Sequence, residues 1–141
     1  MEEITSGMKE YLKTVFLIEK GGNRAKNSEL AKELQVMPAS VTEMIRKMAS
    51  AGLLDYKPYH EMKLTEKGKD TVRNILRRHR LLEKMFADFV GLDAESACDE
   101  ASRLDLLLSD SAVNRICTVF DHPTTCPCGK PIYADENCCT R

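Results

Sequence analysis

Apolar and polar positions change period twice along the chain, and these changes outline the fold. Over residues 5 to 20, Met8, Tyr11, Leu12, Val15 and Phe16 recur at i, i+3, i+4, i+7 and i+8, a single apolar helical stripe. Gly21-Gly22-Asn23 ends it. Asn27 or Ser28 can cap a second helix, which carries Leu30, Ala31 and Leu34 on its inner face. After the break Gln35-Val36-Met37, Pro38 stands where a first helical turn tolerates proline. Val41, Met44, Ile45 and Met48 then form the buried stripe of a third helix, closed by Gly52.

The period now shortens. Leu53, Leu54 and Tyr56 predict a short strand, Lys57-Pro58-Tyr59-His60 a turn, and Met62 with Leu64 a return strand. Thr65 caps a long helix running from Glu66 to about Val90, with Gly68 weakening its first turn and Gly91 interrupting it. Two further helical segments fit, roughly 94 to 108 and 110 to 120. Beyond Pro123 the composition turns to Pro, Gly, Thr and Cys, without helical periodicity. The prediction is a mainly α protein. A winged helix-turn-helix occupies residues 1–71, a helical region 72–122, and an irregular Cys-rich tail 123–141.

Two short helices, a tight turn and a following hairpin place the second helix in a DNA major groove, its N-terminal residues toward base edges. The non-core positions of that helix are Ala39, Ser40, Thr42, Glu43, Arg46 and Lys47, after Pro38. Small residues permit close approach, including contact with thymine methyls, and Ser and Thr can bond phosphate or base. The wing adds Lys57, Tyr59, His60 and Lys63 for backbone phosphates. A solvated helix face, or a winged helix that binds protein, is the competing reading.

Composition is that of an ordinary globular protein, with 141 residues, 43% hydrophobic and 30% charged. No apolar run reaches the roughly 20 residues of a membrane span, and the start Met-Glu-Glu-Ile lacks the basic, apolar pattern of a signal peptide. A cytoplasmic protein with no membrane partner is expected. The net charge of -1 hides an asymmetry: residues 1–80 hold 16 Lys+Arg against 11 Asp+Glu, and residues 81–141 hold 5 against 11. A basic first half suits a polyanion. No phosphate loop or Ser-His-Asp set is present, and the only histidines are His60, His79 and His122, so no enzyme is expected.

The chain resembles the diphtheria-toxin-repressor family, including its manganese-transport-regulator branch. The resemblance rests on Met8-Lys9-Glu10-Tyr11-Leu12-Lys13-Thr14-Val15-Phe16, Ser40-Val41-Thr42-Glu43-Met44 and Leu64-Thr65-Glu66-Lys67-Gly68-Lys69. Arg78-His79-Arg80-Leu81-Leu82-Glu83, Cys98-Asp99-Glu100-Ala101 and Leu108-Ser109-Asp110 continue it, over roughly residues 6 to 122. It implies a homodimer that represses transcription from palindromic double-stranded operators when loaded with Fe(II) or Mn(II). It also implies a dimerisation domain at about 72 to 141, with no room for the SH3-like domain of longer members.

His79 and Glu83, at i and i+4, share one helix face about 5 to 6 Å apart at Cβ. Such a pair suits a divalent transition metal. The resemblance assigns them to an ancillary metal site whose third ligand falls on Cys98, where the family has His; a buried structural Cys98 is the alternative. At the DNA-activating site the resemblance offers Glu10 and Asp105, but Ser102, Leu106 and Lys13 stand where the family has ligands. In the tail, Cys126, Cys128, Cys138 and Cys139 give four thiols. They are enough for tetrahedral Zn(II) or an iron–sulfur cluster that His122 could join, or they remain free or redox-active thiols. A winged-helix regulator gated by redox or a cluster, or by no metal, is the alternative function.

Overall fold

The computed structural model describes residues 3–57 and 62–139; Tyr59 and His60 of the expected wing turn lie outside them. Six helices and one small sheet follow in order: α1 (Ser6–Lys20), α2 (Asn27–Leu34), α3 (Pro38–Ser50), β1 (Leu54–Asp55), β2 (Lys63–Leu64), α4 (Glu66–Asp88), α5 (Ala94–Leu104) and α6 (Asp110–Val119). The protein is mainly helical. It comprises two compact units, Met1–Val72 and Arg73–Arg141, and α4 contributes residues to both.

In the first unit, Thr5 caps α1 by accepting a hydrogen bond from the Met8 N–H at 3.2 Å. Tyr11, Leu12, Val15 and Phe16 of α1 are buried with Leu30 of α2 and Val41, Ile45 and Met48 of α3. The turn between α2 and α3 places Gln35 in the left-handed region at φ 54, and the Val36 N–H returns to the Ala31 carbonyl at 3.1 Å. The second helix starts without a side-chain cap. Lys26, not Asn27 or Ser28, holds the cap position, because Ala25 is still extended in a bridge with Met62.

β1 and β2 pair antiparallel, Leu54 opposite Leu64 and Asp55 opposite Lys63. Thr65 then serves twice. Its hydroxyl donates to the Gly52 carbonyl at 2.6 Å and accepts from the Gly68 N–H at 3.0 Å, capping α4. Gly68 is no mere weak point of that first turn: a Cβ there would stand 2.1 Å from the Leu53 carbonyl oxygen. Only glycine lets the helix start lie so close to β1.

In the second unit Leu81, Val113, Cys117, Cys126 and Ile132 form a buried cluster, flanked by Leu108, Ile116, Cys138 and Cys139. Cys126 and Ile132, with Cys138 and Cys139 packed against them, therefore make the segment beyond 123 contribute to this core. Residues 126–130 form a tight turn in which the Cys126 N–H bonds the Lys130 carbonyl at 2.9 Å and the Gly129 N–H bonds the Cys126 carbonyl at 2.8 Å, with Gly129 at φ +78. Arg80 of α4 donates to the Pro131 carbonyl at 2.5 Å and lies 5.6 Å from the Tyr133 ring. Asp93 and Ser109 cap α5 and α6. α5 stops at Leu104, short of the expected 108. Arg78 takes up the Asp105 and Leu108 carbonyls and pairs with Asp110 at 2.5 Å, which fixes the connection to α6.

Candidate metal centre and nucleic-acid interface

The middle of α4 is covered on all sides and carries a run of buried charge, Arg77, Arg78, His79, Arg80 and Glu83. Buried ions need partners. His79 Nε2 lies 2.8 Å from Glu83 Oε1 one turn on and 3.4 Å from Cys98 Sγ of α5, and Nδ1 lies 3.2 Å from Asp105 Oδ2. One donor atom from each of His79, Glu83 and Cys98 falls within 4.8 Å of the others. Burial disfavours the His79 imidazolium, but the hydrogen bonds it donates to Asp105, Glu83 and Cys98, with the Glu83 charge, outweigh it and raise the ring to about 9. Burial likewise pushes Glu83 up, and the His79 hydrogen bond and charge reverse this and hold the carboxyl below its usual range.

The other Glu83 oxygen faces the tail. Cys128 Sγ is 3.6 Å from Glu83 Oε2, and Glu83, Cys126 and Cys128 make a second group of donors within 4.8 Å. Burial, then the Glu83 charge, raises the Cys128 thiol. A buried imidazole and carboxylate, with the buried Cys126, the half-buried Cys98 and the exposed Cys128 converging on them, are a donor set that fits a divalent transition ion. With Nε2 toward the ion, Nδ1 keeps its hydrogen bond to Asp105, the carboxylate–histidine–metal arrangement.

The structure distributes the expected ligands differently from the sequence. Cys126 and Cys128 join Glu83, whereas Cys138 and Cys139 lie with Cys117 and His122 in a separate group. The reason is local: the turn at 126–130 points back at α4, while the turn at Asp135–Cys139 rests on α6. Asp105 is 1% exposed and engaged with His79, and Ser102 is exposed. Glu10 is exposed on α1 in the other unit. Two features escaped sequence reasoning. Asp105 as the partner of His79 joins residues 26 apart, which no helical spacing connects. Cys117 stood outside the four tail thiols chosen from the sequence, although its spacing of five to His122 was a signal.

On α3, Pro38, Ala39, Ser40, Glu43, Arg46 and Lys47 are exposed and Thr42 half-buried. A shallow surface depression is lined by Ala39, Thr42, Glu43, Arg46, Lys47 and Ser50. The Thr42 hydroxyl donates to the Pro38 carbonyl at 3.2 Å, and Lys47 pairs with Glu43 at 3.5 Å. Lys57 and Lys63 flank the hairpin and are exposed, and Tyr59 lies outside the described residues.

Residues 3–62 match the family described as iron dependent repressor, N-terminal DNA binding domain. Residues 65–134 match iron dependent repressor, metal binding and dimerisation domain. An HTH-type transcriptional regulator of Methanocaldococcus jannaschii is 36% identical over 114 residues, 80% of this chain and 91% of the relative. The iron-dependent repressor IdeR of Mycobacterium tuberculosis is 31% identical over 94% of this chain, which spans 57% of that repressor's length. Among solved structures, the manganese-activated repressor ScaR with bound zinc superposes with a TM-score of 0.79 at 35% identity, covering 89% of this chain and 59% of that one. With both halves matched in order and a relative matched over nearly its full length, this chain belongs to the iron-dependent repressor family.

Proposed function

We propose that this chain is a cytoplasmic, metal-responsive transcriptional repressor, not an enzyme, that binds palindromic duplex operators as a homodimer. The observation that carries the reading is the convergence of the buried His79 and Glu83 of α4 with the half-buried Cys98 of α5, beside the thiols of Cys126 and Cys128. When bound, the metal supplies a divalent charge to which α4, α5 and the 126–128 turn are all ligated. Three thiols beside one imidazole and one carboxylate are softer than Mn(II) prefers, so Fe(II) is the proposed physiological ion. Asp105 positions the His79 ring through Nδ1 and turns Nε2 toward Glu83 and Cys98. That engagement, with Ser102 and Leu106 lacking ligand chemistry, leaves Glu10 little support as the DNA-activating site.

In this reading Pro38, Ala39, Ser40, Thr42 and Glu43 face base edges, while Arg46, Lys47, Lys57 and Lys63, with Tyr59, meet phosphates. No described helix is long and apolar enough to cross a membrane. The test uses a palindromic duplex recovered by selection with the Fe(II)-loaded chain under anaerobic conditions. Fluorescence anisotropy should show binding that excess chelator weakens and Fe(II) restores. His79→Ala should respond to neither addition. Equal affinity of the parent chain with and without chelator would sink metal gating and leave a winged-helix regulator governed otherwise.

A further inference from the structure

A second set of donors lies on α6, away from the His79 group. Cys117 is in the last turns of α6, His122 follows in the next turn, and Cys138 and Cys139 return from the tail. Cys117 Sγ is 3.7 Å from Cys139 Sγ and 3.4 Å from His122 Nδ1, and Cys138 Sγ is 3.8 Å from the same nitrogen. A tetrahedron built on Zn–S bonds of about 2.3 Å and a Zn–N bond of about 2.0 Å has S···S edges of about 3.8 Å and S···N edges of about 3.5 Å. The observed separations are those edges to within a few tenths of an ångström.

Two independent features mark the place as built for a ligand. Asp121 and His122 both have left-handed backbones, φ 55 and φ 50, although neither is glycine. Consecutive residues in that region persist only where the surroundings hold them. Here the His122 N–H bonds the Cys117 carbonyl at 2.8 Å, and the turn swings the imidazole back over α6. The tail is ordered to match: Asp135 accepts from the N–H groups of Cys138 and Cys139 through its carbonyl, and from that of Asn137 through its side chain. Both neighbouring sulfurs thereby reach one point.

The second feature is Arg77. It is 3% exposed, and its Nε and Nη2 find no hydrogen-bond partner among the described residues. Its guanidinium acts on Cys117 and Cys139. A cation left so under-bonded calls for a negative neighbour. One divalent ion with three thiolates and a neutral imidazole carries a net charge of -1, which Arg77 balances.

We propose that Cys117, His122, Cys138 and Cys139 hold one Zn(II) in a closed tetrahedral site that pins the chain end to α6. Four protein ligands leave no open position, which is the structural rather than the catalytic or exchangeable kind of zinc site. Three sulfurs exclude Mn(II) as the natural occupant. The site is independent of the metal-responsive reading: it stands whether or not the His79 group governs DNA binding.

The experiment uses the full chain, purified anaerobically and saturated with zinc, with tightly bound metal counted by mass spectrometry of the elements. His122→Ala and Cys138→Ser should each hold one zinc per chain fewer than the parent. His79→Ala should keep that zinc, and in this background Co(II) should give the tetrahedral visible bands and the thiolate charge-transfer intensity of three sulfurs. The Co(II) arm does not depend on the folding of the cysteine variants. Unchanged zinc in His122→Ala and Cys138→Ser overturns the site. So does a His79→Ala chain without tetrahedral cobalt bands, or a parent chain that comes out metal-free with Cys117 and Cys139 joined in a disulfide.

Discussion

His79 is gripped from both ends, by Asp105 at Nδ1 and by Glu83 at Nε2, and the grip sets its proton affinity. With a value of about 9 in the metal-free chain, the ring holds both protons through neutral pH, and the one on Nε2 must leave before that nitrogen can ligate. The folded value lies above the ordinary one. The ring's contribution to the metal-free fold is therefore full below about pH 6.5 and is lost as pH rises through about 9. Metal affinity moves the opposite way, rising about tenfold per pH unit across that window from this proton alone. Competition titrations at three pH values check the slope, and a flat line contradicts it. Asp105→Asn keeps a hydrogen bond but removes the charge, and should weaken metal binding by about 10- to 100-fold. At this scale the i, i+4 pair of His79 and Glu83 was legible in the sequence, because helical spacing alone puts the two side chains together. Asp105 was legible only as a carboxylate: its partner is set by the packing of α5 and the following turn against α4.

The DNA-facing chemistry proposed for α3 and the hairpin can be tested element by element. Arg46 and Lys47 lie exposed on α3 and line its depression. Changing both to Ala should weaken binding to all duplexes alike. It should also reduce the slope of log affinity against log salt by about 2, roughly one for each lost phosphate contact. Unchanged salt dependence would move the interface off this helix. The base of the hairpin allows a sharper structural test. Gly68→Ala forces a methyl against the Leu53 carbonyl and should cost about 1–3 kcal/mol in urea unfolding. An unaltered midpoint would mean that α4 can shift away from β1 at no cost. Helix stripes and the strand pair were readable from period alone, since Leu12, Val41, Ile45 and Leu64 recur where burial demands. Ends were less so. The start of α2 depends on a bridge to Met62, and the end of α5 depends on Arg78, a side chain from another helix.

For the whole molecule, the sequence suggests an apolar dimer face from Leu76, Leu82, Met85, Phe86 and Phe89 with Leu104, Leu107 and Leu108. Leu76 and Leu82 are already buried within one chain, so they cannot supply it. Of the rest, Phe89 and Leu107 are exposed by 84% and 77%, with Val90 beside Phe89 at 55%, and Met85, Phe86, Leu104 and Leu108 are half-buried, all in the unit matched to a dimerisation domain. Phe89→Asp combined with Leu107→Asp should give monomers in sedimentation with a retained helical spectrum, and a persisting dimer would place the interface elsewhere. The packing of Cys126 and Ile132 into the second core has a consequence for the order in which the protein comes into being. Synthesis reaches residue 72 with the first unit complete, yet the second core cannot close before residue 132 has been added. At about 5–20 residues per second, that interval lasts about 3 to 12 s. A nascent chain thus passes through a stage in which the unit matched to a DNA-binding domain is finished and the donors gathered around His79 have not yet come together. Stalled chains of increasing length, probed by protease, should show protection of the first unit well before protection of α4 beyond Arg73.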